Sequence, residues 1–487
     1  MSPRRAWMAL AALPLLPGAA VATPPAAPAP APAVADQAQQ HLQAGRFGRV
    51  RVYVPPGPVR SVAIFVSGDG GWELGVITMA QALREAGALV IGVDVRHYFA
   101  SLHQAAERPG APCQLIAADF ENLSHQIQKQ LGMADYLLPA LVGYSSGATL
   151  VYAALVQSPP GTFTGALSLG FCADQDFAGA QLCPGAGLHY SANAQQELVF
   201  EPASTLRQPW VALQGEKDQV CSPQAAAQFA GAVRGGALVS LPLVGHGFSV
   251  ERNWMPQFLQ AFARVSAQPT STMPAGSAAA IGDLPLEEVA AEGSGSELAL
   301  LLTGDGGWAG LDQELAARLA AQGVPTVALN SLRYFWKARS PEEATQAVAR
   351  ILRHYLSAWH KTRVLLVGYS FGADVLPFVV NRLPEELRAQ VASVSLLGID
   401  AHASFEVHLS DWLGGDAAGP MTRPEVLRLP PLPVLCLFGA GETDSLCPQL
   451  PAGITREQVG RGHHFGDEYA TLAERILAFA RRARPVT

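Results

Sequence analysis

The chain has 487 residues, 49% of them hydrophobic and 15% charged, and a formal net charge of −7 at pH 7. That length predicts two or three domains, and the composition is typical of a globular protein with ample core material. The acidic balance excludes the basic surface of a nucleic-acid-binding protein and a polybasic stripe for anionic lipid.

The N-terminus is predicted to be a signal peptide, residues 1–22. Two arginines precede a short apolar run, and a small-x-small pattern ends at residue 22. The run is too short to cross a bilayer, and no other stretch is long and apolar enough to do so. We therefore expect export, to the periplasm in a Gram-negative source, with residues 23–35 as a Pro/Ala spacer.

Segments typical of strands alternate with helical segments twice along the remaining chain. We assign the first copy to residues 36–266, a linker rich in small and breaker residues to 267–282, and the second copy to 283–487. The predicted strands of the two copies are 50–54, 61–66, 89–95, 163–169 and 209–213, then 297–302, 324–329, 391–397 and 434–438. The predicted helices include 76–86, 148–156, 311–321, 341–357 and 469–481. This alternation predicts, in each copy, a mostly parallel doubly wound sheet with helices on both faces.

Each copy also contains a G-x-S-x-G pentapeptide directly after an apolar strand, at residues 143–147 and 368–372. A sharp turn at this point brings the residues two before and two after the serine almost into contact, and only glycine avoids the clash. The pattern predicts a nucleophile elbow that exposes Ser145 and Ser370. Because several motifs recur in one order, the chain is a duplication of two α/β-hydrolase-like units.

A nucleophilic serine needs a base and an acid that orients the base. In doubly wound hydrolases the chain order is serine, acid, histidine. That order selects Ser145, Asp218 and His246 in the first copy, and Ser370, Asp444 and His463 in the second. We expect a hydrolase site in the second copy, whereas the sequence leaves the activity of the first copy open.

Alternatives remain for two members of the second set. His464 could replace His463, and Glu442 or Asp467 could replace Asp444. The match of Gly-His-His-Phe at 462–465 with Gly-His-Gly-Phe at 245–248 favours His463, and the usual preference for aspartate favours Asp444.

An oxyanion requires two preorganised N–H donors. One is expected from the residue after the nucleophile, Ser146 or Phe371, and the other from a Gly-Asp-Gly-Gly turn after an earlier strand. Gly70 and Gly306 are the candidates in that turn, because glycine lets the backbone approach a substrate. The alternative is a tight turn without a substrate role.

Two carboxylates near this region need an explanation. Asp305, duplicated as Asp69, would oppose the developing negative charge, so we expect it to bind a cationic substrate group or to cap the next helix. Asp374, where the first copy has Thr149, would add negative charge for an ammonium-bearing substrate, or would simply face the helix dipole.

Aromatic residues follow a strand end at 333–336. Arg333, Tyr334 and Trp336 could form a lipid-facing or cation-holding wall, or the aromatic residues could belong to the core. Residues 96–99 are the counterpart in the first copy.

Six cysteines permit disulfides in an exported chain. Cys172 and Cys183 flank a short loop-like stretch, so we expect them to pair, although connectivity cannot be deduced from sequence. No motif has metal-ligand spacing, and we predict neither a metal nor another cofactor.

Four motifs together resemble the VirJ family of bacterial virulence proteins. They are Thr-Gly-Asp-Gly-Gly-Trp at 303–308, Ser-Leu-Arg-Tyr-Phe-Trp at 331–336, Gly-Tyr-Ser-Phe-Gly-Ala-Asp-Val-Leu-Pro-Phe at 368–378 and Gly-His-His-Phe at 462–465. The whole chain, an exported first domain followed by a VirJ-like second, is similar to the AcvB/VirJ group. The resemblance implies a periplasmic hydrolase of lysyl-phosphatidylglycerol with Ser370 as nucleophile, and a link to type IV secretion.

We therefore predict an exported serine esterase that acts on aminoacylated phospholipid at the membrane surface, through an aminoacyl-Ser370 intermediate. Nucleic acid is not an expected partner, whereas secretion-system proteins are candidate partners. Two rival hypotheses are a non-catalytic periplasmic binding or chaperone protein and a general secreted esterase with no preference for cationic head groups.

Overall fold

The structure, a computed structural model, describes residues 40–72, 74–204, 206–268, 281–408 and 419–483. The predicted signal peptide, the spacer and most of the predicted linker lie outside the described residues. The domain boundaries given above stay predictions. Residues 40–268 are called the first half below, and residues 281–483 the second half.

An eight-stranded sheet carries the first half, with a small three-stranded sheet beside it. The strands are β1 Gln40–Gln43, β2 Arg49–Tyr53, β3 Ser61–Val66, β4 Ala88–Val93, β5 Pro139–Tyr144, β6 Gly165–Leu169, β7 Asp174–Gln175, β8 Tyr190–Ala192, β9 Leu198–Phe200, β10 Trp210–Gly215 and β11 Gly236–Leu241. The large sheet has the order β1-β2-β4-β3-β5-β6-β10-β11. Its strands are parallel except where β2 meets β1 and β4. This order, with the serine directly after the central strand β5, is the α/β-hydrolase arrangement.

Helices cover both faces of this sheet, because its strands are apolar on both sides. They are α1 Leu74–Glu85, α2 Val95–Ala106, α3 Ile116–Gln130, α4 Ser146–Gln157, α5 Pro223–Ala232 and α6 Met255–Val265. Along β3, Val62, Ile64 and Val66 belong to one core, and Ala63 and Phe65 to the other. This period-2 alternation buries every residue of the strand.

A seven-stranded sheet carries the second half. Its strands are β12 Leu286–Val289, β13 Glu297–Leu302, β14 Thr326–Leu329, β15 Arg363–Tyr369, β16 Val391–Leu397, β17 Val434–Ala440 and β18 Thr455–Arg461. The helices are α7 Gly310–Ala321, α8 Ser331–Tyr334, α9 Pro341–Ala358, α10 Phe371–Arg382, α11 Glu385–Arg388, α12 Thr422–Leu427 and α13 Tyr469–Arg482. The order β12-β14-β13-β15-β16-β17-β18, antiparallel only at β12, repeats that of the first half without its outermost strand. The predicted pair of doubly wound α/β-hydrolase sheets is confirmed. Within the described ranges, no helix combines the length and apolarity needed to cross a bilayer.

Trp336 joins the two halves. Its indole N–H donates to the Met133 carbonyl at 2.8 Å, and its ring lies 5.0 Å from that of Tyr136. Lys129 places its ammonium 4.8 Å from the same ring and also bonds to Glu406 at 2.9 Å. Tyr136 is therefore part of the apolar core of the second half although it belongs to the first.

All six cysteines are paired, but not as expected. The disulfides are Cys113–Cys183, Cys172–Cys221 and Cys436–Cys447. The predicted Cys172–Cys183 pair is wrong. Cys172 and Cys221 follow the neighbouring parallel strands β6 and β10, and carboxyl ends of parallel strands meet at one edge of the sheet. Adjacency in the sheet, not in the chain, selects the partner.

We predict that a peptide map of the unreduced protein recovers these three links. Replacing Cys172 and Cys221 by alanine should lower the free energy of unfolding by about 4 kcal/mol, because the link closes 49 residues of chain. Replacing Cys436 and Cys447, which are 11 residues apart, should cost about 3 kcal/mol. Chemical denaturation measures both losses, and a peptide joining Cys172 to Cys183 would contradict the assignment.

Candidate active sites

Two nucleophile elbows follow β5 and β15. A Cβ on Gly368 would lie 2.5 Å from the Gly372 carbonyl oxygen, and one on Gly372 would lie 2.1 Å from the Leu302 carbonyl oxygen. Ser370 stands between them at φ 50°, in the left-handed region that L-residues rarely adopt. Ser145 stands at φ 56° between two glycines that are equally confined. Both predicted elbows are confirmed as geometry, and both serines are partly exposed.

In the second half a serine, a histidine and a carboxylate form one hydrogen-bonded line. Ser370 Oγ–H donates to His463 Nε2 at 2.8 Å, and His463 Nδ1–H donates to Glu442 Oε1 at 2.5 Å. The alternative base His464 instead bonds Tyr369 Oη through its Nδ1. The histidine expected from the sequence is therefore the one that contacts the serine.

The expected acid, Asp444, is wrong for this geometry. Asp444 is exposed and accepts a hydrogen bond from Thr443, whereas Glu442 is the carboxylate on His463. Glu442 lies three residues after Gly439, as Asp218 lies three residues after Gly215. Both glycines are in close contact with the backbone of the loop that carries the histidine. The third residue after this glycine is therefore the carboxylate that contacts the histidine in each half. The side chain of the other alternative, Asp467, lies outside the described part.

The first half contains a complete hydrogen-bonded line of serine, histidine and carboxylate of its own. Ser145 Oγ–H donates to His246 Nε2 at 3.0 Å, and His246 Nδ1–H donates to Asp218 Oδ2 at 2.8 Å. Its three members are the ones expected from the sequence, and the structure brings them together.

Burial, hydrogen bonds and neighbouring charges shift the pKa values of Glu442 and His463 in the second half. Burial acts to raise the pKa of Glu442, but hydrogen bonds from His463 and the Gly439 N–H hold that pKa below its usual value. Burial acts to lower the pKa of His463, but the hydrogen bond to Glu442 and the charges of Glu442, Asp305 and Asp400 raise it above the usual 6.5. The imidazolium form is therefore stabilised in this site.

The two glycine-rich turns lie against the nucleophiles. A Cβ on Gly68 would lie 2.9 Å from Ser145 Cβ, and one on Gly304 would lie 3.6 Å from Ser370 Cβ. Gly307 donates its N–H to the Gly304 carbonyl, so this N–H is already paired, and the preceding residue, Gly306, stays the candidate oxyanion donor. Gly70 has the corresponding place in the first half. Phe371 and Ser146 begin helices α10 and α4, where the first N–H groups have no partner within the helix.

Carboxylates gather around Ser370. Asp305 does not cap α7, whose N-cap is Ala309. Asp374 Oδ1 accepts the Asp400 N–H at 2.7 Å, which ties the first turn of α10 to the loop after β16. Burial, and then the charges of Asp400 and Asp305, raise the pKa of Asp374 well above its usual value, although the Asp400 N–H acts in the opposite direction.

Glu121 brings a further carboxylate from the first half. It lies on α3, and its Oε1 is 3.9 Å from where a Cβ of Gly306 would be. Burial and the charge of Asp305 raise its pKa to about 8. The oxyanion turn of the second half is thus bordered by a residue of the first half.

The aromatic segment does not form the expected wall. Tyr334 is buried, donates its hydroxyl proton to the Glu343 carbonyl and lies under the Arg339 guanidinium. Trp336 packs against the first half and donates its indole N–H there, and Arg333 is exposed. Instead Phe335 is buried and packs against Phe371, the residue after the nucleophile, with the two ring centroids 5.1 Å apart.

Sequence reasoning missed Asp400 and Glu121. Asp400 could have been found, because it follows β16, the strand next to the elbow strand, at the same sheet edge. Glu121 carries no such signal, since nothing local shows that α3 packs against the other half.

Three solved structures that are similar to the chain are hydrolases, and each matches about half of it. The esterase domain of a Rhodothermus marinus protein is 17% identical, with 46% of this chain and 97% of that one covered and a TM-score of 0.31. A dienelactone hydrolase from Anabaena variabilis is 16% identical, with 47% and 97% covered and a TM-score of 0.33. An α/β serine hydrolase without a lid from Xanthomonas campestris is 20% identical, with 48% and 96% covered and a TM-score of 0.29. At these scores the fold assignment still rests on the strand order and the elbows.

A comparison with curated proteins finds no significant match. A family comparison does: residues 60–169 and 296–484, more than half of the chain, match the family described as "Bacterial virulence protein (VirJ)". Both matched segments contain an elbow serine, so the match covers each half. The chain belongs to the VirJ family of bacterial virulence proteins.

Proposed function

We propose that the protein is a periplasmic serine hydrolase whose second half cleaves the aminoacyl ester of lysyl-phosphatidylglycerol. The observation that carries the proposal is the continuous hydrogen-bonded line from Ser370 through His463 to Glu442. A protein that only binds its ligand needs no such line, because the line serves to move one proton from a hydroxyl to an imidazole.

Acylation begins when Ser370 Oγ attacks the ester carbonyl and its proton passes to His463 Nε2. The new imidazolium is stabilised by Glu442, and the oxyanion accepts hydrogen bonds from the N–H groups of Phe371 and Gly306. Collapse breaks the ester bond, and His463 returns the proton to the departing glycerol oxygen. The lysyl group is then esterified to Ser370.

Deacylation repeats the sequence with water. His463 takes a proton from the water as it attacks the acyl-enzyme, and then gives that proton back to Ser370 Oγ. The products are lysine and phosphatidylglycerol, and the protein returns to its starting state.

The carboxylates around Ser370 support a cationic acyl group. A lysyl ester carries two ammonium groups, and Asp305, Asp374, Asp400 and Glu121 crowd one another enough that burial and mutual repulsion raise the pKa values of Asp374 and Glu121. A bound dication would relieve this repulsion and favour the ionised forms. The site therefore suits a lysyl ester better than an uncharged one.

The disulfides support an exported location. Three disulfides in one chain persist in an oxidising compartment and are rare in the cytosol of mesophiles. Combined with the predicted signal peptide, this favours the periplasm, where the outer face of the inner membrane presents the lipid.

We predict that Ser370→Ala abolishes hydrolysis of lysyl-phosphatidylglycerol in mixed micelles, whereas Ser145→Ala leaves the rate within twofold of wild type. Glu442→Gln should lower kcat by about 10³- to 10⁴-fold, because the amide no longer selects the reactive imidazole tautomer. Release of lysine measured by mass spectrometry follows the reaction.

Asp444→Asn is the matched control and should be close to wild type. Full activity in Ser370→Ala would refute the assignment of the nucleophile. A large loss in Asp444→Asn with little loss in Glu442→Gln would reverse the assignment of the acid.

The pH dependence of the second site follows from the raised pKa of His463. Only the neutral imidazole accepts the serine proton, so kcat/KM should fall as the pH drops through a midpoint above the usual 6.5. Asp305→Asn removes one charge that raises this pKa, and should move the midpoint down. The profile is measured on Ser145→Ala protein with p-nitrophenyl acetate, a substrate that has no titratable group. A midpoint below 6.5, or a midpoint that Asp305→Asn does not change, would contradict the electrostatic account.

Cation binding should also release a proton near pH 7. Glu121, with a pKa of about 8, is mostly protonated at that pH, and a nearby ammonium would lower this pKa. Calorimetry of lysine methyl ester binding to Ser370→Ala protein, in two buffers of different ionisation enthalpy, should therefore show release of a substantial fraction of a proton. Glu121→Gln should reduce this release, with Asp374 as a second source of protons, and an unchanged value would exclude Glu121 from the pocket.

A further inference from the structure

We infer that the first half is a second, independent serine esterase, with a preference for uncharged esters that carry apolar acyl chains. This goes beyond the proposed hydrolysis of a cationic lipid, which the second half performs. The inference rests on three features of the first half: a complete catalytic line, uncharged residues at two positions that hold carboxylates beside Ser370, and an apolar rim.

The acid of the first line is held as firmly as a catalytic carboxylate requires. Asp218 Oδ1 accepts the N–H groups of Val220 and Cys221, each at 2.9 Å, and Oδ2 accepts Gln214 Nε2–H at 2.9 Å in addition to His246 Nδ1–H. The side chain is fully buried. Four hydrogen bonds hold this carboxylate in one position, from which it orients the imidazole of His246.

A metal site is the competing explanation for this cluster. Asp218, Cys221 and His246 each place one potential ligand atom within 4.8 Å of the others. Cys221 is in a disulfide with Cys172, however, so its sulfur is not available as a thiolate. The histidine and the aspartate are already paired in the line that ends at Ser145.

Two positions that hold carboxylates beside Ser370 hold uncharged residues beside Ser145. Thr149 stands where the second half has Asp374, and its hydroxyl donates to the Cys172 carbonyl at 2.8 Å. Cys172, two residues after Gly170, stands where Asp400 follows Gly398, and it is tied into a disulfide. Asp69, the counterpart of Asp305, is exposed. At these two positions a cationic acyl group would meet no carboxylate, in contrast to the site of Ser370.

Apolar side chains instead border the catalytic edge. Val220, Leu243 and Val250 are 68%, 63% and 44% exposed, and they are half of the strongly exposed large hydrophobic residues in the described part of the chain. Val220 is two residues after Asp218, and the other two flank His246 by three and four residues. Because both loops follow parallel strands of one sheet, these side chains lie at the edge where Ser145 is exposed. An acyl chain covering them would bury apolar surface.

The reaction is ordinary acyl transfer. Ser145 Oγ attacks the ester carbonyl as His246 takes its proton, the alcohol leaves with that proton, and water then releases the carboxylic acid and restores Ser145. The N–H groups of Ser146 and Gly70 are the matching oxyanion donors. The reaction needs no co-reactant other than water.

The test uses the full-length protein as wild type, Ser145→Ala, Ser370→Ala and the double variant, with p-nitrophenyl octanoate as substrate and a fluorophosphonate probe located by peptide mass spectrometry. We expect Ser370→Ala to retain at least half of the octanoate rate and to be labelled at Ser145. We expect Ser145→Ala to lose about 10²-fold or more of that rate and the double variant to be inactive. Ser191→Ala, which removes an exposed hydroxyl on β8, is the matched control and should equal wild type.

The rim is tested separately. In Ser370→Ala protein, where Ser145 is the nucleophile that remains, Leu243→Asp should raise KM for octanoate about tenfold and leave KM for p-nitrophenyl acetate unchanged, because only the longer chain reaches the rim. Octanoate hydrolysis that survives in Ser145→Ala at full rate, or wild-type protein labelled at Ser370 but not at Ser145, would overturn the inference. Because Ser370 is assayed separately with the lysyl lipid, either result leaves the proposal for the second half intact.

Discussion

The close approach of the backbone on the two sides of each serine is the constraint on which both sites depend. At Gly368 and Gly372 a side chain would overlap main-chain atoms, so the turn after β15 exists only with glycine at both positions. The turn holds Ser370 in a left-handed conformation and starts α10 directly behind it. The serine is thereby presented to a histidine carried by a loop at the same edge of the sheet.

This frame is used twice, with different chemistry around it. The first half pairs its histidine with a short, buried aspartate held by four hydrogen bonds, and the second uses the longer Glu442. The imidazole side chain is 17% exposed in the first half and 41% exposed in the second. The second site is also the more acidic, and Glu121 on α3 lies beside its oxyanion turn. The contact between the halves at Trp336 therefore also affects the second site, because it places α3 beside that site. The two copies thus share the serine, histidine and carboxylate that transfer the proton, but they differ in the charged residues around them.

The sequence predicted the parts of this structure that depend on local geometry. The elbows, their glycines, Asp218 and both histidines are specified by short motifs at strand ends. Asp444 was expected because aspartate is the usual acid in such sites, but Glu442 is the carboxylate that contacts His463. The structure shows that the fixed point is the glycine at the end of the strand. The cysteine pairs were not predictable, because Cys172 and Cys221 meet through sheet adjacency. The contacts of Trp336 and Glu121 could not be predicted either, because they depend on how one half packs against the other.

The central claim is that both catalytic lines are already formed in the resting protein, with Glu442 and Asp218 as their acids. Proton NMR of the imidazole Nδ1–H groups tests this directly, since a proton held between a histidine and a carboxylate is strongly deshielded. The account predicts two such resonances, one lost in Glu442→Gln and the other in Asp218→Asn, with both retained in Asp444→Asn. A single resonance, or loss of one in Asp444→Asn, would contradict it.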